Sequence, residues 1–197
     1  MKYIFTSQRV DIAANYNEKR DCLDQRWADF LHACGYILIS VPNHTETVET
    51  MLKSFAPSGI LLTGGNSPAP YEGNSPERDK TDALLLDYAV SANIPLMGVC
   101  RGMQSIVLYF GGTLKEVPNH VSAIHSIHGN INREVNSYHS LSVNSMPSEL
   151  SVLAKTKDGN IEAIKHNRYN IIGIMWHPER ETSFCKEDIK MFKELFL

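Results

Sequence analysis

The sequence is poor in the features that mark disulfide-rich, nucleic-acid-binding and membrane-spanning proteins. Its four cysteines form no C-x-x-C pair, which suits reduced thiols better than a disulfide framework. A net charge of −3 excludes a general electrostatic attraction to nucleic acid or to membrane lipids. No apolar run is long enough to cross a bilayer, and the amino-terminal residues show no signal-peptide pattern. We therefore expect a cytoplasmic protein without nucleic-acid or membrane partners.

Repeats, low-complexity tracts and linkers are absent as well, which predicts a single domain over residues 1–197. A hydrophobic content of 43% and a charged content of 21% are ordinary for a globular protein. Strand and helix patterns alternate as far as Gly112, which favours a parallel sheet covered by helices on both faces. Beyond Gly112 the patterns are short and β-rich, and 157–160 carries a hairpin turn signal.

The periodicity of apolar residues predicts the following elements. In the alternating part we expect strands over 2–10, 36–41, 59–63 and 94–99. We expect helices there over 18–34, from a cap at Thr45, and over 76–92 behind a cap at Ser75 with Pro76 in the first turn. In the β-rich part we expect strands over 124–128, 140–144, 150–157, 161–166 and 171–175, and a closing helix over 187–197.

Cys100 lies where a predicted strand passes directly into a helical pattern, within the frame G-x-C-x-G. A nucleophile on such a sharp turn needs small neighbours, here Gly98 and Gly102, because its backbone is strained and the helix packs closely. The helix that begins at Arg101 points its free N–H groups at the thiol and favours the reactive thiolate. The alternative interpretation is an inert buried cysteine at a strand end.

A second candidate group follows the last predicted strand, in the stretch I-I-G-I-M-W-H-P-E. A thiolate nucleophile needs a base, and the base needs an acceptor that orients it. His177 and Glu179 lie two residues apart at a strand end, so both side chains can face one side of the chain. Alternatively, they are a solvent-exposed pair in a loop.

Together these stretches resemble the class I glutamine amidotransferase superfamily, and within it the γ-glutamyl hydrolase branch. Four further matches are P-E-R-D at 76–79, G-G-T-L at 111–114, V-N-S-Y-H at 135–139 and D-G-N-I-E-A-I at 158–164. The matches keep their order from residue 60 to residue 179. The resemblance implies an α/β, flavodoxin-like amidotransferase fold: a mainly parallel central sheet with helices on both faces and a β-rich C-terminal half.

The resemblance also implies a Cys100, His177 and Glu179 triad that attacks a γ-glutamyl carbonyl through a thioester. It implies a small-molecule γ-glutamyl substrate and no cofactor, and it is compatible with a homodimer. Attack creates an oxyanion, which needs preorganised donors. The candidates are the backbone N–H groups of Arg101, directly after the nucleophile, and of Gly65, at a position that similar enzymes use.

In similar enzymes the γ-glutamyl head is bound by residues that match Gln104 and by backbone groups around Asn136, Ser137 and Tyr138. Gln104 lies one helical turn after Cys100, so it can face the same cleft. An exposed helical glutamine is the alternative. Many related sequences carry a second histidine after N-S-x-H, whereas here Ser140 follows. This difference from related sequences bears on the expected contacts to the leaving group more than on those to the γ-glutamyl head.

Three arginines are candidates for an anionic leaving group: Arg9 at the end of the first strand, Arg20 in the first helix, and Arg78 after the long loop. Arginine binds phosphate in a bidentate way, so two converging guanidinium groups would suit a diphosphate. The alternative is that Arg20 and Arg78 form surface salt bridges with the aspartates that follow them.

A group of three histidines, His120, His125 and His128, raises the question of a metal. No cysteine lies near them in the sequence, and the resembling enzymes need no metal, so we expect none.

The leading hypothesis is therefore a cysteine hydrolase of a γ-glutamyl amide. The short length of the chain and its amino-terminal stretches resemble compact hydrolases of bacterial surface-polysaccharide pathways. This resemblance suggests a nucleotide-linked amidate as the substrate. A γ-glutamyl-γ-aminobutyrate or γ-glutamyl polyamine is the rival. Two other functions stay open: a glutaminase subunit that supplies ammonia to a separate synthase, and a non-catalytic binding protein on the same fold.

Overall fold

A nine-stranded sheet forms the centre of the structure, a computed structural model that describes residues 2–197. Five neighbouring strands are parallel. In spatial order they are β4 (Ile37–Ser40), β1 (Tyr3–Thr6), β5 (Gly59–Leu62), β6 (Leu96–Val99) and β13 (Ile171–Ile174). Four antiparallel strands continue the sheet: β12 (Ile161–His166), β11 (Leu150–Thr156), β8 (Val121–Gly129) and β9 (Arg133–Tyr138). The expected α/β fold with a mainly parallel centre and a β-rich second half is confirmed.

Two small ribbons and five helices complete the fold. The ribbons are β2 (Arg9–Ala13) with β3 (Glu18–Cys22), and β7 (Thr113–Glu116) with β10 (Leu141–Ser145). The helices are α1 (Arg26–Ala33), α2 (Thr45–Phe55), α3 (Pro76–Ala92), α4 (Arg101–Tyr109) and α5 (Lys186–Leu195). Among residues 2–197, no helix has both the length and the apolar character that crossing a membrane requires.

The parallel strands are apolar on both faces because helices cover both sides of the sheet. All four residues of β5 and of β6 are buried. Helices α2, α3 and α4 pack on one face with Phe5, Ile60 and Leu62, whereas α1 and α5 pack on the other with Ile4 and Leu61. This alternation of neighbouring residues between two cores follows from the period of two along a strand.

Two predicted elements near the amino terminus are wrong. The expected strand over 2–10 stops at Thr6, because the Asn66 side chain holds both the N–H and the carbonyl of Val10, at 2.8 Å each, and the chain turns into β2. Arg9 therefore begins a strand instead of ending one. The expected helix over 18–34 begins only at Arg26, and its first part is β3.

The other predictions agree with the structure more closely. Helix α3 has the predicted bounds, and the 157–160 turn joins β11 to β12 as expected. The cap of α2 is His44, whose Nδ1 accepts the N–H of Thr47, and Thr45 is the first helical residue. The strands β7 and β9 were not predicted. Strand β9 contains the V-N-S-Y stretch that the family resemblance had assigned to substrate binding.

Candidate active site

Cys100 occupies a strained turn between β6 and α4. Its φ of 51° and ψ of −103° are unusual for a residue with a side chain. A Cβ on Gly98 would lie 2.6 Å from the carbonyl carbon of Gly102, and a Cβ on Gly102 would lie 2.1 Å from the Leu62 oxygen. Both glycines are thus required for α4 to pack directly against the sheet, as the G-x-C-x-G frame predicted.

Pairing between β6 and β13 brings the two distant sequence stretches together. Val99 lies opposite Ile174, and the Cys100 N–H donates to the Ile174 carbonyl at 2.7 Å. The chain continues from β13 to His177, which follows Ile174 by three residues. The Cys100 side chain lies near enough to the His177 ring for its charge to raise the pKa of that ring.

His177 lies between the sulfur and a carboxylate. Its Nδ1 is 2.7 Å from Oε1 of Glu179, and both side chains are almost fully buried. Burial lowers the pKa of His177, but the negative charges of Cys100 and Glu179 outweigh it and raise the pKa to about 9. The raised pKa favours the imidazolium, which is the state that can donate a proton to a leaving group.

Several neighbours fix the position of His177. Asn136 on β9 donates to the His177 carbonyl at 2.9 Å and accepts the His177 N–H at 2.8 Å. A Cβ on Gly64 would lie 2.5 Å from Cε1 of the imidazole, so the ring rests against bare backbone. Arg26 of α1 donates to the Glu179 carbonyl at 3.0 Å. Neither the contact of Gly64 with His177 nor that of Arg26 with Glu179 was predicted from the sequence, because both depend on contacts across the fold.

The two candidate oxyanion donors lie at the ends of neighbouring strands. The Arg101 N–H is the first of α4, and Gly65 follows β5 with a φ of +94°. Within residues 2–197, neither N–H donates to another backbone group. The Arg101 side chain points elsewhere and is bound by Asp79 and Asp82 of α3.

Arg78 hydrogen-bonds the backbone on either side of Gly64. It is fully buried, and its guanidinium donates to the carbonyls of Gly65, at 3.0 Å, and Thr63, at 2.6 Å. Burial is the main cause that lowers the pKa of Arg78, to about 10, so the group remains charged at neutral pH. Sequence analysis proposed Arg78 as a substrate contact, whereas the structure places it where it holds the Gly65 loop.

A cleft of about 170 Å³, which we call the cysteine cleft, opens on one side of the sulfur. Cys100, Gln104 and Tyr138 line it together with Gly65 and Arg101. The Gln104 amide donates to the Leu141 carbonyl at 3.1 Å. Asn136 and Ser137, which the sequence analysis grouped with Tyr138, do not line this cleft; the Ser137 hydroxyl donates to the His120 carbonyl.

A second cleft of about 290 Å³, the hairpin cleft, opens on the other side of His177. Its wall includes the β2–β3 ribbon, and Gly65 borders both clefts. Arg9 lines the hairpin cleft, paired with Asp11 at 2.8 Å, and Arg180 lines it while stacking 4.4 Å above the Tyr138 ring. Arg180 was missed by the sequence analysis. Arg20 points away on β3 and forms a surface salt bridge with Glu18 at 3.1 Å, whereas its alternative interpretation had named Asp21 as the partner.

The three histidines that raised the metal question do not stay together. His128 is exposed at the far end of β8. His120 and His125 instead lie beside His139 and Glu162, with one ligand atom of each within 4.8 Å of the others. Neither His139 nor Glu162 is near them in the sequence.

The Glutamine amidotransferase class-I family model matches residues 21–196. The "Gamma-glutamyl-CDP-amidate hydrolase" of Campylobacter jejuni is 30% identical over 197 residues, which cover 98% of this chain and 97% of that protein. "Anthranilate synthase component 2" of Azospirillum brasilense is 34% identical over 155 residues, 70% of this chain and 72% of the relative. The crystal structure of a glutamine amidotransferase from Thermotoga maritima has the same fold, with a TM-score of 0.69, 16% identity, and coverage of 98% of this chain and 83% of that one.

Proposed function

The chain belongs to the glutamine amidotransferase class-I family, and on that premise we propose that it hydrolyses a γ-glutamyl amide through a thioester on Cys100. The observation that carries the proposal is the strained turn at Cys100 near His177, whose Nδ1 lies 2.7 Å from the Glu179 carboxylate. A nucleophile, a proton donor and an orienting carboxylate in that order are what acyl transfer requires.

The chemistry proceeds in two halves. The Cys100 sulfur attacks the γ-carbonyl carbon, and the backbone N–H groups of Gly65 and Arg101 stabilise the oxyanion. When the tetrahedral intermediate collapses, the C–N bond breaks and His177 gives its proton to the leaving nitrogen. Water then attacks the thioester and gives a proton to the neutral His177. The C–S bond breaks, and glutamate leaves with the new C–O bond.

The cysteine cleft is the proposed site of the glutamyl head. It contains Gln104, which can bond polar groups of the head, and the Tyr138 ring as an apolar wall. The leaving group would extend past His177 into the hairpin cleft, because that is the side on which the imidazolium and Glu179 lie.

For the leaving group we propose a nucleotide-linked amidate: γ-glutamyl-CDP-amidate is cleaved to glutamate and cytidine diphosphoramidate, for capsular polysaccharide phosphoramidate synthesis. Two observations support it. The relative that carries this activity in its name aligns over 98% of the chain. Arg9 and Arg180 both line the hairpin cleft, where their guanidinium groups can meet phosphate oxygens. The rival, a γ-glutamyl-γ-aminobutyrate or polyamine, would use Asp11 and Asp24 of the same cleft for an amine.

The test is a panel of γ-glutamyl compounds given to the isolated protein, with release of free glutamate as the measurement. The panel contains glutamine, γ-glutamyl-γ-aminobutyrate, a γ-glutamyl polyamine and a γ-glutamyl nucleoside diphosphate amidate. We expect the amidate to have the highest kcat/KM, and Cys100→Ala to abolish turnover of every compound. Turnover that survives Cys100→Ala would overturn the mechanism, and a preference for the amine conjugates would overturn only the leaving group.

A second candidate function, a glutaminase subunit, is favoured by the 34% identity to an anthranilate synthase component. Such a subunit would act on glutamine and would need a separate synthase to accept the ammonia. Activity on glutamine that stays negligible until a partner is added supports this candidate, whereas strong activity of the isolated chain on a substituted amide opposes it.

A further inference from the structure

Four side chains that the proposed chemistry does not use converge beside the cysteine cleft. These four, His120, His125, His139 and Glu162, are called the histidine cluster here. Nδ1 of His120 lies 3.4 Å from Nε2 of His139 and 3.6 Å from Oε1 of Glu162. Nε2 of His139 and Oε1 of Glu162 are 3.2 Å apart. Ligands bound 2.0–2.1 Å from a tetrahedral metal ion are about 3.3 Å from one another. The three atoms are therefore spaced like three ligands of one tetrahedral metal ion.

The outer hydrogen bonds of the two buried rings fix where their protons are. Nδ1 of His139 lies 3.1 Å from the Leu141 carbonyl, which can only accept, so this nitrogen carries a hydrogen. Nε2 of His120 lies 3.0 Å from the Asp158 carboxylate, which can only accept, and 3.2 Å from the Asn160 amide nitrogen, which itself donates to Asp158. The shorter contact with Asp158 therefore places a hydrogen on this nitrogen. In neutral rings, the inner nitrogens of both histidines then present lone pairs to each other and to Glu162. Three lone pairs at this spacing repel one another, and a cation between them would relieve that repulsion.

One shared proton would satisfy a single pair of these atoms and leave the rest of the cluster unpaired. Nε2 of His125 and Oε2 of Glu162 are buried without a hydrogen-bond partner among residues 2–197. Glu162 is also fully buried, and a buried carboxylate is costly unless it is paired or bound to a metal.

We propose that His120, His125, His139 and Glu162 bind one divalent transition-metal ion, and that Zn²⁺ suits this set best. Three imidazoles and one carboxylate in a tetrahedral arrangement are typical zinc ligands. Because all four positions are filled by the protein, the ion has a structural role. This proposal replaces the expectation from sequence that the histidines bind no metal.

The surroundings meet two further requirements of a metal site. Metal-binding histidines commonly donate their second nitrogen to a carboxylate or a carbonyl, as His120 does to Asp158 and His139 to Leu141. An open pocket of about 580 Å³ over His120 and His125 gives the ion a route from solvent. The Leu141 carbonyl also accepts the Gln104 amide, so the ion would stiffen the wall of the cysteine cleft.

The test uses the full chain without a polyhistidine tag, with Cys100→Ala to remove the reactive thiolate as a competing ligand. The protein is stripped with a chelator and titrated with Zn²⁺, and the bound metal per chain and the Tm are measured. We expect one tightly bound equivalent and a higher Tm. The His125→Ala variant should bind at least tenfold more weakly, whereas His128→Ala, on the same strand but outside the cluster, should bind normally.

Two additional measurements keep the result interpretable. Co²⁺ should give the visible absorption of a tetrahedral site with nitrogen and oxygen ligands, and this band should vanish in His125→Ala. Glu162→Gln, which preserves the size of the side chain, should also weaken binding at least tenfold. The proposal is overturned if the stripped protein binds no stoichiometric Zn²⁺. It is equally overturned if His125→Ala and His128→Ala bind alike, or if Glu162→Gln binds normally.

Discussion

The Cys100–His177–Glu179 group and the histidine cluster both bury imidazole against a carboxylate, but their charges are arranged differently. In the first group one ring pairs with one carboxylate, and the charges of Cys100 and Glu179 raise its pKa to about 9. In the histidine cluster three rings share one carboxylate, and inner nitrogens face each other. The first arrangement favours a proton on the ring, whereas the second favours a cation held between rings.

The two groups also come from different parts of the sheet. The reactive group follows β6 and β13, at the carboxyl ends of parallel strands, where α/β proteins place their sites. The cluster comes from the antiparallel extension, with His120 before β8 and His139 after β9. The His139 N–H donates to the His120 carbonyl at 3.1 Å, which links the two ends. In the proposed mechanism the parallel half supplies the reacting groups, and the antiparallel half forms the wall beside them.

The largest expected effect is the fall in kcat when Glu179 loses its charge. Glu179→Gln leaves the size of the side chain unchanged but removes the charge that orients and stabilises the His177 cation. We expect kcat to fall at least about a hundredfold. Glu194→Gln, at an exposed position near the end of α5, is the matched control and should retain nearly full kcat. Equal kcat in the two variants would show that Glu179 does not orient the base.

A smaller effect is expected from filling the space against the His177 ring. In Gly64→Ala the new methyl group would lie 2.5 Å from Cε1 and displace the imidazole from the sulfur. We expect kcat to fall about tenfold to a hundredfold with little change in the free energy of unfolding. Gly159→Ala is a control with the opposite expectation. Gly159 has a φ of +88°, so an alanine there should lower the free energy of unfolding by about 1 kcal/mol and leave kcat unaffected. A Gly64→Ala enzyme with normal kcat would contradict the contact.

The dependence on pH tests the raised pKa of His177. The cation is present below about pH 9, so kcat/KM should decline by about tenfold per pH unit above that value. The folded-state pKa exceeds the ordinary value of 6.5. Its contribution to stability is thus complete below pH 6.5 and is lost as the pH rises through 9. Denaturant midpoints measured across this range should show the loss, and Cys100→Ala should reduce it. A flat profile in both measurements would oppose a Cys100–His177 ion pair.

The smallest expected effect concerns the hairpin cleft. Arg9→Ala should raise KM for a nucleotide-linked amidate about threefold to tenfold and leave KM for glutamine unchanged, because only the former has phosphates for Arg9 to contact. Arg20→Ala, on the paired strand but outside the cleft, is the control. An equal rise of KM for both substrates in Arg9→Ala would argue that Arg9 acts on the backbone of Gly65.

Local sequence was sufficient where the chemistry depends on neighbours along the chain. The glycines around Cys100 pack as the G-x-C-x-G frame predicted, and Nδ1 of His177 lies 2.7 Å from Glu179, two residues along the chain. That the three side chains act as one catalytic group stays a prediction. The ribbon β2–β3 was not predicted because it is short and mostly exposed, so its sequence shows no alternation of buried residues. The helical spacing that begins at Leu23 was wrongly extended toward the amino terminus, to residue 18.

The histidine cluster could not be predicted for a different reason. His139 and Glu162 are 23 residues apart, and they meet only because of the register of the antiparallel strands. Sequence spacing suggested His128 as the third histidine, yet it lies outside the cluster. Arg78 was likewise misplaced, since nothing in the sequence shows that its partners are the carbonyls of Thr63 and Gly65.

The most direct test of the central claim is mass spectrometry of the protein after reaction with a γ-glutamyl chloroketone, an electrophile shaped like the substrate. We predict a single adduct on Cys100, none on Cys22, Cys34 or Cys185, and no labelling of Cys100→Ala. Labelling of another cysteine at the same rate, or an unlabelled Cys100 in protein that hydrolyses γ-glutamyl amides, would contradict the claim that this sulfur is the nucleophile.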